Sequence, residues 1–376
     1  MFNEAFLQQA LEQRRLTGSL RSLQTNPGLV DFCSNDYLGL ARSEKLLNEA
    51  EQEWERLREK GGNLLGSGGS RLLSGNTDYA EELEREIATF HQAEAALIFN
   101  SGYDANLGFF SCVPRRGDTV LYDELIHASV RDGIRLSHAQ AFSFGHNDLA
   151  RLEERLQKAK GKIFVAVESV YSMDGDACPL EELVALCENY GALLTVDEAH
   201  AVGLLGEKGA GAVSAAGLQD RVFARLCTFG KALGCHGAAI VGSAALREYL
   251  VNFARSFIYT TALPLHSLAA IRCAYRFSAA QDEARAQLRA QVKIFREPLL
   301  AAGFEMTNAE GPIQCLLRSG NEAVRHLAAT IRERGFDVRA ILSPTVPAGK
   351  ERIRVCLHAF NTPTEIKDLV ENLRSL

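Results

Sequence analysis

The stretch LLTVDEAH, residues 193–200, places an acid and a histidine directly after a short apolar run. Its first four residues, Leu193–Val196, have the length and character of a strand that is buried on both faces. The residues before it carry apolar side chains at helical spacing, namely Leu183, Leu186, Cys187 and Tyr190. A helix that leads into an apolar strand is the repeating unit of a sheet covered by helices.

The same alternation extends along the chain on both sides of this stretch. Further apolar runs of strand length lie at Ala95–Phe99, Thr119–Tyr122, Ile163–Val167, Phe223–Cys227 and Ala238–Val241. Helical or polar stretches separate these runs. Such alternation predicts an α/β fold with a mostly parallel sheet flanked by helices.

The pattern changes after a long Ala- and Arg-rich helical region that begins near Ser267. Apolar runs that alternate with helices then follow at Ile313–Leu317, Phe336–Ile341 and Ile353–Leu357. They predict a smaller C-terminal α+β domain. We therefore predict three parts, an N-terminal segment at 1–40, a large domain at 41–265 and a small domain at 266–376. A chain of 376 residues exceeds what one compact core usually fills, which agrees with two domains.

Composition excludes several classes of protein. The formal net charge of -6 is spread along the chain without a basic cluster, so we expect no nucleic-acid partner. No apolar run approaches the roughly 20 residues that span a bilayer, so we expect no membrane association. The N-terminus carries acids and no apolar signal core, and nine cysteines lie without a CxxC pair. These features predict a cytoplasmic protein with reduced thiols.

Polar side chains follow three successive strands of the predicted sheet. They are Glu168 and Ser172 after the first strand, Asp197 and His200 after the second, and Thr228 and Lys231 after the third. Ligands of open parallel sheets bind beyond the carboxyl ends of the strands. We therefore expect these side chains to meet at one edge of the sheet.

The chemistry of this set points to a carbonyl-type cofactor with a pyridine ring. A lysine between Gly230 and the small Ala232 can be desolvated and so act as a reactive amine. An acid at a strand end is what a pyridine nitrogen needs to stay protonated and act as an electron sink. Each residue alone has an ordinary explanation, as a solvated charge, a helix cap or a structural histidine. The pattern DxAH followed at 228–234 by TFGKALG is far more specific.

Two glycine-containing segments are less specific signals. The segment GSGGSR at 66–71 is similar to a dinucleotide-binding loop. However, Arg71 stands at the third glycine position and a helix precedes the loop, which disfavours a nicotinamide dehydrogenase. Ser101-Gly102-Tyr103 lies between a predicted strand and a predicted helix. Backbone amides there could hold a phosphate, with a plain turn as the equal alternative.

Seven segments together carry a family resemblance. They are GSGGSRLLSGN (66–76), NSGYDAN (100–106), DELIHASVRDG (123–133), ESVYSMDGD (168–176), VDEAH (196–200), TFGKALG (228–234) and TVPAG (345–349). The chain resembles the α-oxoamine synthases, which are pyridoxal 5′-phosphate enzymes of fold type I, from NDYLGL at 35–40 to RIRVCL at 352–357. The resemblance implies a transferase that condenses an amino acid with an acyl thioester and releases CO2.

The resemblance also implies which residues hold the cofactor. Lys231 would hold pyridoxal 5′-phosphate as a Schiff base and remove the α-proton of the substrate. Asp197 would pair with the pyridine nitrogen, and His127 would stack on the ring. The other contacts would be Ser172 and His200 at the ring oxygen, and Gly102, Tyr103, Thr228 and, from a partner subunit, Thr260 or Thr261 at the phosphate. No metal is implied.

The substrate contacts implied by the resemblance lie near the two ends of the chain. Arg354 would bind the carboxylate of the amino acid, with Asn35 close by. Arg352 remains an alternative, because residues two apart on a strand point to the same face. Thr345 and Arg21 would lie on the acyl side, although Arg21 is one of several N-terminal arginines.

Three segments favour one kind of substrate within the family. NDYLGL (35–40), GSGGSR (66–71) and YTTALP (259–264) favour the biotin-pathway member, which uses L-alanine and a pimeloyl thioester. The nearest alternative is the glycine-using 2-amino-3-oxobutyrate CoA ligase, which shares the core residues. The acyl donor is left open as acyl-CoA or acyl-carrier protein, and a homodimer is implied. Outside the family, an inactive scaffold is the alternative, which the presence of Lys231 disfavours.

Overall fold

The computed structural model describes residues 4–23, 25, 28–61 and 65–376. The predicted N-terminal segment at 1–40 is therefore described only in part, and residues 1–3, 24, 26 and 27 lie outside the described residues. Close approach between Cα atoms divides the chain into two units. The larger unit comprises Leu38–Ser172 and Ala177–Arg285, and the smaller unit comprises Met1–Tyr37, Met173–Asp176 and Ala286–Leu376.

Helices and strands alternate through most of the described chain. The strands are β1 Val30–Asp31, β2 Ala95–Phe99, β3 Thr119–Asp123, β4 Gln140–Phe144, β5 Ile163–Glu168, β6 Leu193–Asp197, β7 Ala224–Thr228, β8 Ala238–Gly242, β9 Ile313–Leu317, β10 Phe336–Asp337, β11 Arg339–Ile341 and β12 Arg352–Cys356. The helices are α1 Ala5–Leu16, α2 Glu44–Glu59, α3 Asp78–Phe90, α4 Gly102–Cys112, α5 Ala128–Leu136, α6 Leu149–Leu156, α7 Leu180–Asn189, α8 Ala212–Ala215, α9 Ala244–Phe253, α10 Arg255–Ile258, α11 Leu265–Ala279, α12 Asp282–Ala301, α13 Asn321–Glu333 and α14 Pro363–Arg374.

The larger unit is built on a seven-stranded sheet with the order β2-β8-β7-β6-β5-β3-β4. Strand β8 runs antiparallel to both of its neighbours, while β3 to β7 pair in parallel. All other strands of this sheet therefore point the same way as β6, and their carboxyl ends lie at one edge. This arrangement confirms the predicted α/β fold with a mostly parallel sheet flanked by helices.

Helices cover both faces of this sheet. Along β3, Val120 belongs to an apolar cluster that also contains residues of α4, α5 and α9, whereas Leu121 belongs to a cluster that contains residues of α6 and α7. Successive side chains of a strand point to opposite faces, so these two apolar clusters lie on the two sides of the sheet. The central strands are consequently buried on both faces, which explains their continuous apolar runs.

Strand β4 was not predicted, and its position explains why. It lies at the edge of the sheet and pairs with β3 alone, and its first four residues are exposed. Its sequence QAFSF mixes polar and apolar residues, because an edge strand with an open face needs no apolar run. The other six strands of the sheet match the predicted runs to within one residue at each end.

The smaller unit contains two short sheets. β11, β12 and β9 form an antiparallel sheet in which Arg354 lies opposite Cys315 and Arg339. β1 and β10 form a separate parallel pair. The predicted run Phe336–Ile341 is therefore divided at Val338 between two sheets.

Strand β1 joins the residues before Leu38 to the C-terminal residues within the smaller unit. Val30 pairs with Phe336 and Asp31 pairs with Asp337, and the amide of Cys356 donates to the carbonyl of Phe32. The predicted domain boundaries after residues 40 and 265 remain predictions. Among the residues that the structure describes, no helix has the length and apolar character needed to cross a membrane.

Close packing of α5 against α4 makes Gly133 sensitive to substitution. A Cβ at Gly133 would lie 2.8 Å from Phe110 Cβ and 2.9 Å from the carbonyl oxygen of Asn106. We expect Gly133→Ala to lower the free energy of unfolding by about 1–3 kcal/mol, because the helices must move apart. Urea unfolding measures the change.

Gly311→Ala provides the matched control. No atom lies within 4 Å of a Cβ built at Gly311, so its substitution should change the free energy of unfolding by less than about 0.5 kcal/mol. Equal stability of the Gly133→Ala and Gly311→Ala variants would contradict the packing argument.

Candidate active site

Three neighbouring parallel strands bring acidic and hydroxyl side chains to one edge of the sheet. β5 ends at Glu168, β6 at Asp197 and β7 at Thr228. Glu168 lies directly opposite Asp197 in the β5–β6 register. Both carboxyl groups are buried, with 3% of Glu168 and 7% of Asp197 exposed.

A lysine and a histidine lie in contact at the same edge. Lys231 follows β7, and His200 follows β6. Lys231 Nζ is 2.8 Å from His200 Nε2. His200 is buried and Lys231 is half-buried, so the amine is only partly accessible to water. The structure thus brings together the acid, the imidazole and the lysine that the sequence predicted to meet.

Asp197 and His127 are joined by two side chains that the sequence analysis did not assign. Asn106 Nδ2 donates to Asp197 Oδ2 at 2.9 Å and to Ser129 Oγ at 3.0 Å. Ser129 Oγ in turn lies 2.8 Å from His127 Nδ1. The amide of Ala199 binds Asp197 Oδ1 at 3.0 Å, so both carboxylate oxygens are held.

A sequence signal for Asn106 exists. Asn106 lies four residues after Gly102 on α4, so the two residues share one face of the helix. Because the sequence predicts Gly102 to lie at the ligand, a polar residue on the same helix face indicates a further contact. Ser129 lies two residues after His127, at the start of α5.

Electrostatics in this pair of acids favour a protonated Glu168. Burial raises the pKa of Glu168 to about 8, and the negative charge of Asp197 acts in the same direction. Glu168 Oε2 accepts from the amide of Ser172 at 3.2 Å. Glu168 Oε1 is buried, and no described residue donates a hydrogen bond of ordinary geometry to it. The amide of His127 nevertheless lies close enough to the Glu168 carboxyl to act against the rise in its pKa. This oxygen can still bind a donor.

His127 lies in the field of the same charged groups. Desolvation of the ring lowers the pKa of His127, while the charges of Asp197 and Lys231 act on it in opposite directions. A lowered pKa favours the neutral imidazole, which can stack on an aromatic ring without burying a charge.

The beginning of α4 forms a cradle beside β7. Ser101 caps the helix by accepting from the amide of Asp104 at 3.0 Å. A Cβ at Gly102 would lie 2.6 Å from Thr228 Cγ2, so the site accepts only glycine without a shift. The first amides of a helix bind anions well, and this cradle therefore fits a phosphate. Tyr103 is half-exposed, and its hydroxyl donates to Asp132 Oδ2 at 2.5 Å.

Thr260 and Thr261 lie near this helix within the same chain. Asn100 Nδ2 donates to Thr260 Oγ1 at 2.8 Å and to the carbonyl of Thr261 at 2.9 Å. Their predicted contact with a phosphate in a partner subunit remains a prediction.

The predicted substrate residues all lie in the smaller unit. Arg354 is buried and donates to Asn35 Oδ1 at 3.0 Å, and the hydroxyl of Tyr37 donates to the same oxygen at 3.0 Å. Thr345 and Arg21 are exposed. The structure therefore joins Arg354 and Asn35, while the roles of Thr345 and Arg21 remain predictions.

Arg352 and Arg354 differ in their partners. Arg352 forms an ion pair with the carboxylate of Asp174, and its guanidinium also donates to the carbonyl of Met173 at 3.1 Å. Arg354 donates to Asn35, whose side chain carries no charge. The charge of Arg352 is thus balanced by a carboxylate within the chain.

The arrangement at the sheet edge fits pyridoxal 5′-phosphate. It offers an amine on Lys231, a fixed carboxylate on Asp197 and a helix start with a glycine at Gly102. Among the described residues there is no group of three or more His, Cys, Asp or Glu side chains that could hold a metal ion.

Comparisons with known proteins support the same family. A family model described as aminotransferase class I and II matches residues 27–373. The 8-amino-7-oxononanoate synthase of Emericella nidulans is 43% identical over 98% of this chain and 94% of its own length.

Two solved structures share the fold. Serine palmitoyltransferase, solved with PLP as an internal aldimine, has a TM-score of 0.90 and 26% identity over 100% of this chain and 98% of its own. The 8-amino-7-oxononanoate synthase of Francisella tularensis has a TM-score of 0.79 and 29% identity over 92% of this chain and 97% of its own. The resemblance found in the sequence is therefore confirmed.

The buried carboxyl of Glu168 should make stability depend on pH in the cofactor-free protein. A carboxyl whose pKa rises from 4.5 to about 8 binds its proton more tightly in the folded state. The free energy of unfolding then falls as the pH rises from about 4.5 to 8, by at most about 1.4 kcal/mol per pH unit. We expect Glu168→Gln to remove this decline, which urea unfolding at several pH values measures.

Glu310→Gln is the control, since Glu310 is exposed. This variant should keep the decline of the unaltered protein. An unchanged slope in Glu168→Gln would show that Glu168 ionises below this pH range, and it would remove the argument for a protonated carboxyl.

Proposed function

The chain belongs to the 8-amino-7-oxononanoate synthases, within the class I and II aminotransferase family, and from this premise we propose that it joins L-alanine to a pimeloyl thioester. In this reaction Cα of alanine takes the acyl group, the thiol leaves, and the carboxylate departs as CO2. The product is 8-amino-7-oxononanoate, an intermediate of biotin biosynthesis. The observation that carries the proposal is the contact of Lys231 Nζ with His200 Nε2. Lys231 follows β7, and His200 follows the neighbouring strand β6, which ends at Asp197.

We propose pyridoxal 5′-phosphate as the cofactor, held covalently by Lys231. The serine palmitoyltransferase neighbour that was solved with PLP as an internal aldimine supports this assignment. When bound, the cofactor delocalises the electron pair that remains at Cα after a proton or CO2 is lost. The phosphate would lie at the start of α4, against Gly102, Tyr103 and Thr228, where backbone amides favour an anion.

Asp197 would keep the pyridine nitrogen protonated by holding a carboxylate beside it. Asn106 and the amide of Ala199 each bind one oxygen of this carboxylate, which fixes its orientation. A carboxylate has about four lone-pair positions, so these two bonds leave room for a ring N–H. The low-dielectric surroundings make this charge contact stronger than it would be in water.

Lys231 would move the proton at Cα of alanine, and His200 would orient its amine. The 2.8 Å contact between Lys231 Nζ and His200 Nε2 supports this division of roles. Ser172 and His200 would also bind the ring oxygen of the cofactor, and His127 would lie against the ring face. Neutral His127 suits that position, because a cation would oppose the positive charge of the ring nitrogen.

Arg354 would bind the carboxylate of alanine, with Asn35 beside it. A guanidinium binds a carboxylate through two parallel hydrogen bonds, a geometry that lysine cannot reproduce. Arg352 is less suited, because its guanidinium already binds the carboxylate of Asp174. Thr345 and Arg21 would contact the acyl chain.

We also propose that the enzyme is a cytoplasmic homodimer. Large apolar side chains lie exposed at Leu72, Leu73 and Tyr259, and the last of these precedes Thr260. Burial of these side chains against a second subunit would remove apolar surface from water, which is favourable. All nine cysteines are free thiols, which agrees with a reducing compartment. The acyl donor is pimeloyl-CoA or a pimeloyl-carrier protein, because both present the same thioester.

Lys231→Ala should abolish turnover of L-alanine and pimeloyl-CoA while leaving the protein folded and able to bind the cofactor without a covalent bond. The phosphate cradle and Asp197 remain in this variant. Thiol release measures the activity, and circular dichroism measures the fold. Borohydride treatment should add the mass of the cofactor to Lys231 in the unaltered protein alone.

The same assays test the proposed reaction itself. In the unaltered protein, L-alanine should change the absorption of the bound cofactor more than glycine or serine does. A larger response to glycine would indicate the glycine-using ligase instead. Mass added at another lysine would remove Lys231 from its role.

Arg354→Lys should raise the KM for L-alanine by about 30-fold and leave the KM for pimeloyl-CoA nearly unchanged. Loss of a hydrogen bond to a charged group commonly costs about 1.5–3 kcal/mol. Arg352→Lys should have a much smaller effect, because a lysine there can still pair with Asp174. Steady-state kinetics with each substrate varied measures both, and the reversed result would assign the carboxylate contact to Arg352.

A further inference from the structure

A chain of hydrogen bonds runs from Asp197 to His127 through two buried residues. Asn106 Nδ2 donates to Asp197 Oδ2 at 2.9 Å and to Ser129 Oγ at 3.0 Å, and Ser129 Oγ lies 2.8 Å from His127 Nδ1. The exposed fraction is 3% for Asn106 and 0% for Ser129. We call Asn106 and Ser129 the relay. All four residues belong to the larger unit, so these contacts lie within one unit.

The donors and acceptors of the relay determine the direction of each bond. The side-chain nitrogen of Asn106 carries two N–H groups, and its bonds to Asp197 and Ser129 use both of them. Ser129 Oγ therefore accepts from Asn106, and its own hydroxyl proton remains available to donate. His127 Nδ1 lies within reach of that proton. The relay thus directs a donor at Nδ1.

The backbone directs a second donor at the same ring nitrogen. His127 precedes α5, and its Nδ1 accepts from the amide of Ser129 at 3.2 Å, so the ring caps the helix. A backbone N–H can only donate, so Nδ1 must present its lone pair. A proton on Nδ1 would face this N–H, and a charged ring would lie at the positive end of the helix dipole. The ring proton therefore belongs on Nε2.

The charged groups around His127 act in opposite directions. Desolvation of the ring is the largest effect and lowers the pKa of His127. The charges of Asp197 on β6 and Asp132 on α5 raise this pKa, whereas the charge of Lys231 after β7 lowers it. The carboxyl of Glu168 on β5 lies close to the amide of His127. The two donors at Nδ1 favour the neutral ring by hydrogen bonding, in addition to these effects.

We propose that Asn106 and Ser129 are positioning residues that hold His127 as the neutral ring with its proton on Nε2, while Asn106 also orients the carboxyl of Asp197. The inference rests on the proposed function for its consequence at the cofactor. There, one pair of buried side chains would set two contacts of the pyridine ring, an uncharged imidazole on its face and a fixed carboxyl at its nitrogen.

The first test uses the cofactor-free protein and needs no activity. NMR of protein with isotope-labelled histidines distinguishes a ring nitrogen that carries a proton from one that presents a lone pair. The signals that disappear in His127→Asn identify His127. In the unaltered protein at neutral pH, we expect a lone pair on Nδ1 and a proton on Nε2. A proton on Nδ1 would overturn the proposal.

Ser129→Ala removes the hydroxyl and keeps the backbone donor. The His127 ring should then become charged at a higher pH than in the unaltered protein, because a donor to its neutral form is lost. Asn106→Leu should act in the same direction, and the double variant should move the titration no further than Ser129→Ala does, since Asn106 acts through Ser129. An unchanged titration in Ser129→Ala would overturn the proposal, and this variant decides the test alone if Asn106→Leu fails to fold.

Ser137→Ala is the matched control. Ser137 directly follows α5, and its hydroxyl donates to the carbonyl of Ile134 at 2.8 Å. This variant also removes one hydroxyl bond from the helix, but it should leave the titration of His127 unchanged. An equal shift in Ser137→Ala and Ser129→Ala would show that His127 responds to general loosening of α5, and it would overturn the role of the relay.

The second test uses the protein loaded with PLP. Ser129→Ala should lower kcat about tenfold, with the KM values for L-alanine and pimeloyl-CoA each changed less than about twofold. The loss should be greatest on the acidic side of the pH profile, where His127 of the variant first becomes charged. An equal loss at every pH would overturn the role assigned to the neutral ring.

The two tests separate failure of this inference from failure of the proposed function. If the unaltered protein shows no turnover but NMR finds the proton of His127 on Nε2 and the shift in Ser129→Ala, the proposed function fails and the relay is supported. If the unaltered protein turns over, and Ser129→Ala changes neither the titration of His127 nor kcat, the inference fails and the proposed function stands.

Discussion

The active site of the larger unit depends on two buried carboxyl groups that lie side by side. Glu168 and Asp197 end adjacent parallel strands and are both buried. Two negative charges on directly opposite residues of adjacent strands would repel strongly in a low-dielectric environment. Asp197 accepts hydrogen bonds from Asn106 and from the amide of Ala199. Burial and the charge of Asp197 raise the pKa of Glu168. Glu168 is thereby favoured as the carboxyl that keeps a proton.

The packing of the helices serves this arrangement. Asn106 reaches Asp197 from α4, and Ser129 reaches Asn106 from α5, so the two helices must lie close together. The absence of a side chain at Gly133 permits that approach. The close packing of α5 on α4 therefore helps to determine where the charged group of the site lies.

The sequence predicted those parts of the molecule that depend on continuous apolar runs and on strand ends. Glu168, Asp197 and Lys231 could be brought together from the sequence because parallel strands share one edge. The edge strand β4 escaped prediction because its exposed residues need no apolar pattern. Asn106 and Ser129 escaped because a polar residue on a helix has many ordinary explanations, and only its neighbours across space reveal its contact. The pairing of Arg352 with Asp174 joins residues far apart in the chain, so no local pattern could predict it.

The pairing of β1 with β10 has a consequence for the synthesis of the protein. Val30 is translated long before its partner Phe336, because the two residues lie far apart in the chain. Contacts of such large sequence separation form late and slow the overall rate of folding. Strand β1 of the nascent chain therefore stays unpaired until Phe336 has been translated. Molecular chaperones that bind exposed strand edges would find their longest opportunity during this interval.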